Sequence, residues 1–282
     1  MSVNLWYFLQ FVAINIMLGW AIYLPMKAGQ LYNGPIYCAT ISAYFAAFIA
    51  REFGWPFPVI LIFSIGIGAF IGFIPALRLA KGKMFDVAIA TIAIIFITEN
   101  VIRNIPGLGG LRGFRGFPTV NHLLPITWGI LFIIGVMVNR IEHSRFGRAM
   151  EVCRFQPEVA RAIAGVDPVK ISIFSQTISG AMSAIAGVIY VFTMGSIYPH
   201  SIGLRQLILL WTILFIGGQY TMWGIVIATP FMWGLPQLIP LQISHLIDFI
   251  YGTLLVIILV FRPQGLITRE LLVNLKKTLT RL

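Results

Sequence analysis

The sequence predicts an all-α integral membrane protein, a polytopic bundle of about eight to ten transmembrane helices. Three observations predict it. Of its 282 residues, 59% are hydrophobic and 10% charged, with a mean hydropathy of +0.90, well above the apolar and below the charged share of soluble domains. Uncharged runs of about 18 to 22 residues recur, each long enough to cross a hydrocarbon core of about 30 Å as a helix. The polar gaps between them are too short to hold a second domain, so residues 1–282 form one transmembrane domain in this reading.

The first run, 4–24, has no Lys or Arg before Lys27 and no small-residue cleavage pattern. It lacks the layout of a cleaved signal peptide and is expected to stay as a helix. The second, 31–50, opens on Gly29-Gln30-Leu31-Tyr32-Asn33-Gly34-Pro35, where Asn-Gly-Pro interrupts apolar sequence. A broken second span is the expectation, and backbone groups freed at membrane depth must meet protein, water or solute. Gln30 and Asn33 are therefore candidates for a polar path; the plain alternative is an ordinary loop between two spans. The third and fourth runs are 56–76 and 87–103. Late in the fourth, Glu99 and Arg103 lie four apart with the acid first, the favourable order for a pair on one helix face. Either they form an interfacial ion pair, or Glu99 belongs to the wall of a solute path. Pro106-Gly107-Leu108-Gly109-Gly110, with Gly113 and Gly116, predicts a tight outer loop. The remaining runs are 125–139, 171–194, 207–217, 223–239 and 245–261, of which 207–217 is too short to cross without help from its neighbours.

The net charge of +11 would suggest nucleic acid in a soluble chain, but here its distribution over the loops decides the meaning. Fifteen of the twenty Lys and Arg fall in 25–30, 77–86, 140–170 and 262–282, while Arg51, Arg103, Arg112, Arg115 and Arg205 occupy the alternate gaps. The positive-inside rule puts the fifteen in the cytoplasm. Nine spans then leave the C-terminus inside and the N-terminus outside. The tail, 264–282, places Leu266, Ile267, Leu271, Leu275 and Leu279 at helical spacing opposite Lys276, Lys277 and Arg281, which predicts an amphipathic helix on anionic inner-leaflet lipid.

The motifs of catalysis are missing. There is no Gly-x-x-x-x-Gly-Lys-[Ser/Thr] to cradle phosphate and no Gly-x-Ser-x-Gly elbow. His122, His143, His200 and His245 are scattered without metal-ligand spacing. Cys38 falls within a span and Cys153 in a cytoplasmic loop, so they are expected to stay unpaired. No enzyme, metal or cofactor is expected.

The charged island at 140–170 has helical spacing in two pieces. Arg148, Glu151 and Arg154 fall at i, i+3 and i+6, with Val152, Phe155 and Val159 as an apolar edge suited to the membrane surface. Pro157 fits the first turn of a second helix, Glu158 suits its positive start, and Gly165 ends it. A short cytoplasmic helix over about 157–164 follows. Gly165→Val is expected to be the most harmful change in this loop, with Glu158→Ala milder.

Ser144-Arg145-Phe146-Gly147-Arg148-Ala149, Glu158-Val159-Ala160, Ala164-Gly165-Val166, Ser179-Gly180-Ala181 and Ala186-Gly187 resemble permease subunits of branched-chain amino-acid ABC importers. Ala28-Gly29-Gln30-Leu31 with Tyr44, Pro75-Ala76-Leu77-Arg78-Leu79, Gly217-Gly218 with Gly224, and Tyr251-Gly252 with Phe261-Arg262-Pro263-Gln264-Gly265-Leu266 extend the resemblance over roughly residues 15 to 267. It implies a pore subunit without catalysis in the bacterial inner membrane, paired with a second permease, homologous or identical. Two cytoplasmic ABC ATPase subunits and an external solute-binding protein complete the machine. It further implies that the island is the ATPase-coupling segment, with Arg148, Arg154, Glu158, Arg161 and Gly165 at its contact, and that the solute is a branched-chain or similar amino acid, or urea or a short amide. Pro157, Arg161, Gln219-Tyr220 and Ile225 depart from the family's usual residues.

Overall fold

The computed structural model describes residues 2–118, 120, 122–162, 165–238 and 246–261. The chain divides into two compact units, Met1–Leu207 and Ile208–Leu282. The expected helix at 264–282 lies outside the described residues, as do the end of the eighth run and the start of the ninth.

In the first unit, α1 (Ser2–Lys27) is followed by α2 (Gly34–Glu52), α3 (Phe57–Leu79), α4 (Met84–Asn104) and α5 (Leu123–His143). Then come the short α6 (Arg145–Phe155) and α7 (Pro157–Ala162), and the long α8 (Pro168–Met194). Prolines begin α2, α3 and α8, where a missing N–H costs nothing. Side chains cap two other starts: Asp86 accepts from the Lys83 N–H at 3.3 Å and Ser144 accepts from the Gly147 N–H at 3.2 Å.

Helices α1 and α8 form the centre, each 67% buried along its apolar stretch, against 22% for α3 and α5 and 28% for α4. Small residues set how closely they pack. A Cβ on Gly180 would run into the Gly68 carbonyl of α3, and one on Gly187 into the Ala39 carbonyl of α2, so α8 touches both neighbours backbone to backbone. The Ser179 hydroxyl donates to the Ala21 carbonyl at 2.5 Å and ties α8 to α1. After α4 the glycine-rich gap folds into two 3₁₀ turns and a strand, β1 (Phe114–Arg115), which pairs antiparallel with β2 (Ser196–Ile197) just after α8. The expected tight outer loop thus takes the form of a small sheet.

The second unit holds most of α9 (Leu204–Gly217), with α10 (Met222–Leu238) and α11 (Ile247–Phe261). Gly217 and Gly224 meet backbone to backbone, and Gly218, at φ 100°, makes the turn between α9 and α10. The Tyr251 hydroxyl donates to the Met232 carbonyl at 3.2 Å, joining α11 to α10. With 14 residues, α9 is about 21 Å long, short of a full crossing.

The all-α polytopic expectation holds. Among the described residues, nine helices coincide with the nine apolar runs, and the remaining two, α6 and α7, form the charged island.

Candidate functional site

The island is a hairpin of two helices. Ser144 makes the corner from α5: its hydroxyl donates to the Ile141 carbonyl at 2.7 Å while capping α6. Gly147 fits where a Cβ would strike the Ile141 and Glu142 carbonyls. Arg148, from the second turn, donates to the His143 carbonyl at 3.1 Å. The face that α6 buries carries Gly147, Met150 and Cys153, whereas Val152 and Phe155 are 41% and 60% exposed. Pro157 opens α7 as expected, and Glu158 and Arg161 are exposed. Gly165 has φ 61°, and the Val166 N–H returns to the Ala160 carbonyl at 3.0 Å. Burial pushes the Cys153 thiol up, Asp167 adds to that, and Arg161 opposes it.

Beneath α6 lies the connector between α1 and α2. The Asn-Gly-Pro break falls here: α2 is continuous from Gly34, and the interruption is the buried turn before it. Protein atoms meet its freed backbone. The Ala28, Gly29 and Gln30 N–H groups return to carbonyls at the end of α1, and the Asn33 N–H donates to the Thr91 hydroxyl at 3.3 Å. Gln30 and Asn33 are 6% and 2% exposed. The Gln30 amide donates to the Ala80 carbonyl at 3.4 Å and accepts from Gln176 of α8. Asn33 donates to Thr91 and to the Ala88 carbonyl of α4, at 3.2 and 3.3 Å.

Two contacts join this region to the end of α5 and to α6. Lys27 faces Glu142 at 3.7 Å, near the end of α5, and lies 5.8 Å from the centre of the Tyr23 ring. Gly29, at φ 86°, presses so closely on α6 that an added Cβ would lie 2.9 Å from the Arg154 Cα. Of the sequence candidates, Arg154, Gln30 and Asn33 are thereby brought together, with Arg148, Glu158, Arg161 and Gly165 on the same hairpin. Glu99 stands apart, eight residues or about 12 Å beyond Thr91 on α4. There it approaches Gly203, while Arg103 turns to His200 with Nη2 3.4 Å from Nδ1; Glu99 and Arg103 do not close an ion pair. Sequence reasoning missed Glu142 and Gln176. A glutamine inside an apolar run is itself a signal, since it must find a partner there, but its partner is 146 positions away.

Nine apolar helices define a multi-pass membrane protein, and in its first unit the α6–α7 hairpin is pressed onto a buried polar connector. A family model described as "Branched-chain amino acid transport system / permease component" matches residues 4–259. Two curated relatives, the high-affinity branched-chain amino acid transport system permease proteins LivM of Salmonella typhimurium and of Escherichia coli, are each 24% identical over 91% of this chain and 66% of their own length. The chain thus spans just under two-thirds of the relatives it matches. No solved structure matches it. The chain belongs to the permease family of branched-chain amino acid transport systems, as a multi-pass inner-membrane protein.

Proposed function

We propose that the chain is the transmembrane permease subunit of an ABC importer, forming the path of a small polar solute, a branched-chain or similar amino acid. ATP is hydrolysed on two separate subunits that dock on the α6–α7 hairpin. A second permease completes the path, and an external solute-binding protein loads it. The hairpin and the C-terminus face the cytoplasm, on the side where the sequence concentrates its Lys and Arg.

The observation that carries this reading is the contact of Gly29 with Arg154. A displacement of the hairpin pushes on the connector, and the connector grips α4 through Asn33 and α8 through Gln30. Exposed Arg148, Glu158 and Arg161 offer charge-assisted contacts to the ATPase. In this scheme Gln30 and Asn33 relay the motion at the edge of the path, and Glu99 adds a polar group near its outer end. The solute class is supported by the family and by the names of the two relatives.

The test is uptake of labelled leucine, and of urea for comparison, into proteoliposomes containing this chain, its second permease and binding protein, with and without the ATPase subunits. Leucine uptake that requires ATPase and ATP is expected. Uptake without them would make the chain a stand-alone carrier and overturn the proposal.

A further inference from the structure

We propose that the cavity between the α3–α4 turn and the α7–α8 connection binds an anionic phospholipid of the cytoplasmic leaflet. It has a volume of about 420 Å³ and is lined by Lys81, Arg161, Gly165, Val166, Asp167 and Val169. Its two cations come from separate segments, Lys81 from the turn after α3 and Arg161 from α7, and both are exposed. The carboxylate in the wall is already engaged, because Asp167 caps α8 by accepting from the Val169 N–H at 3.0 Å. A cavity with two cations and one committed acid favours an anion, and Val166 and Val169 give it an apolar side.

Its level selects lipid over other anions. Lys81 follows the end of one membrane-spanning helix, and Val169 lies in the first turn of another, so the cavity sits where headgroups lie. Phe70, Ile74 and Leu77 follow one face of α3 at helical spacing toward Lys81, and they are 62%, 50% and 45% exposed. A lipid phosphate seated between Lys81 and Arg161 lays an acyl chain along this track. A protein carboxylate or a free phosphate makes no use of it. The site needs the membrane placement of α3 and α8 and rests on the proposed function for its cytoplasmic side, and it shares Arg161 with the proposed ATPase contact.

The experiment is native mass spectrometry of the full chain released from nanodiscs of phosphatidylcholine with phosphatidylglycerol in both leaflets. Retention of phosphatidylglycerol over phosphatidylcholine is expected, falling about fivefold for Lys81→Gln or Arg161→Gln and further in the double variant, as expected from about 1 kcal/mol per cation at an anionic surface. Arg78→Gln, which removes a nearby exposed cation outside the cavity, should leave retention unchanged, and Leu77→Gln should lower it. Size-exclusion profiles matching the parent's establish that each variant is folded, and the single variants serve if the double one is not. Equal retention in parent and cation variants overturns the proposal. Displacement by inorganic phosphate as effective as by a short-chain phosphatidylglycerol makes the cavity a free-phosphate site and overturns it too. Loss of ATPase-subunit binding in Arg161→Gln, with phosphatidylglycerol retention equal to the parent's, assigns the cation to a protein carboxylate instead and overturns the proposal.

Discussion

Replacing Gly29 with alanine puts a methyl group 2.9 Å from the Arg154 Cα, where carbon atoms ordinarily rest about 3.5–4.0 Å apart. The obstacle is backbone, so α6 must withdraw by about 0.6–1 Å, and overpacking of this kind costs about 1–3 kcal/mol. The backbone of Gly29 is also left-handed, at φ 86°, which costs an L-residue about 1–2 kcal/mol. Gly165 shares only the second cost: its φ is 61° and nothing lies within 4 Å of an added Cβ. Gly29→Ala is therefore worth about 2–5 kcal/mol and Gly165→Ala about 1–2 kcal/mol; the sequence singles out Gly165 within its own loop and gives no sign of the closer packing at Gly29. Thermal unfolding in detergent should show a fall in apparent Tm for Gly29→Ala about twice that for Gly165→Ala, each kcal/mol being worth about 2–4 °C at domain size. In the reconstituted complex, Gly29→Ala should also lower the stimulation of ATP hydrolysis by loaded binding protein. Equal Tm losses, with stimulation intact in Gly29→Ala, would refute the contact as a mechanical link.

Glu142→Gln removes the carboxylate facing the buried Lys27, 4% exposed, and should cost about 3–5 kcal/mol; adding Lys27→Met should recover much of it in a denaturant titration. Gln30→Leu strands the amide of Gln176, which is 0% exposed, at about 1–3 kcal/mol. The Gln30→Leu/Gln176→Leu pair should come closer to neutral in the same titration, and additive losses would contradict the amide pair. Gly180→Leu collides with the Gly68 backbone, whereas Gly66→Leu points into open space; fluorescence-detected size exclusion should show loss of the monodisperse peak only for the first. Cys153 is 6% exposed with its thiol pushed up by burial, so less thiolate is present at neutral pH than at a free cysteine. N-ethylmaleimide should label it more slowly than a Val152→Cys site, with a rate still climbing at pH values where that site has levelled off.

The spans and the hairpin were legible because each rests on local signals. An apolar run of about 20 residues must cross or be buried, and Ser144, Pro157 and Gly165 mark helix starts and stops by conformations that the neighbouring residues do not alter. The apolar edge of α6 stays exposed, as an edge suited to the membrane surface must, and so did not reveal the face that packs. Val152 and Phe155 are exposed, while the face α6 buries runs through Gly147, Met150 and Cys153, because a short helix packed on other helices buries small and flexible residues. Asn-Gly-Pro announced a break, but its surroundings came from positions 50 to 146 residues away. Nothing near Gly29 in the sequence points to Arg154. The ion pair expected from the spacing of Glu99 and Arg103 failed for the same reason: the chain brings His200 to Arg103 and Gly203 to Glu99.

Under the transport reading, the contacts of the connector also distinguish the helix that yields from the helix that holds. Helix α8 meets α3 at Gly68 and Gly180 and α2 at Ala39 and Gly187 with no room for a Cβ, and close-packed interiors transmit displacement rather than absorb it. Gln30 is therefore attached to a fixed post. Helix α4 is different: the connector holds it by hydrogen bonds from Asn33 to Thr91 and Ala88 at 3.2 and 3.3 Å, not by the glycine contacts that lock α8 to α2 and α3. A polar grip on a helix outside that locked core moves the helix with the connector. Because Glu99 lies about 12 Å further along the same rod, a push delivered through Arg154 and Gly29 reaches the outer end of α4 without any rearrangement of the α2–α3–α8 core.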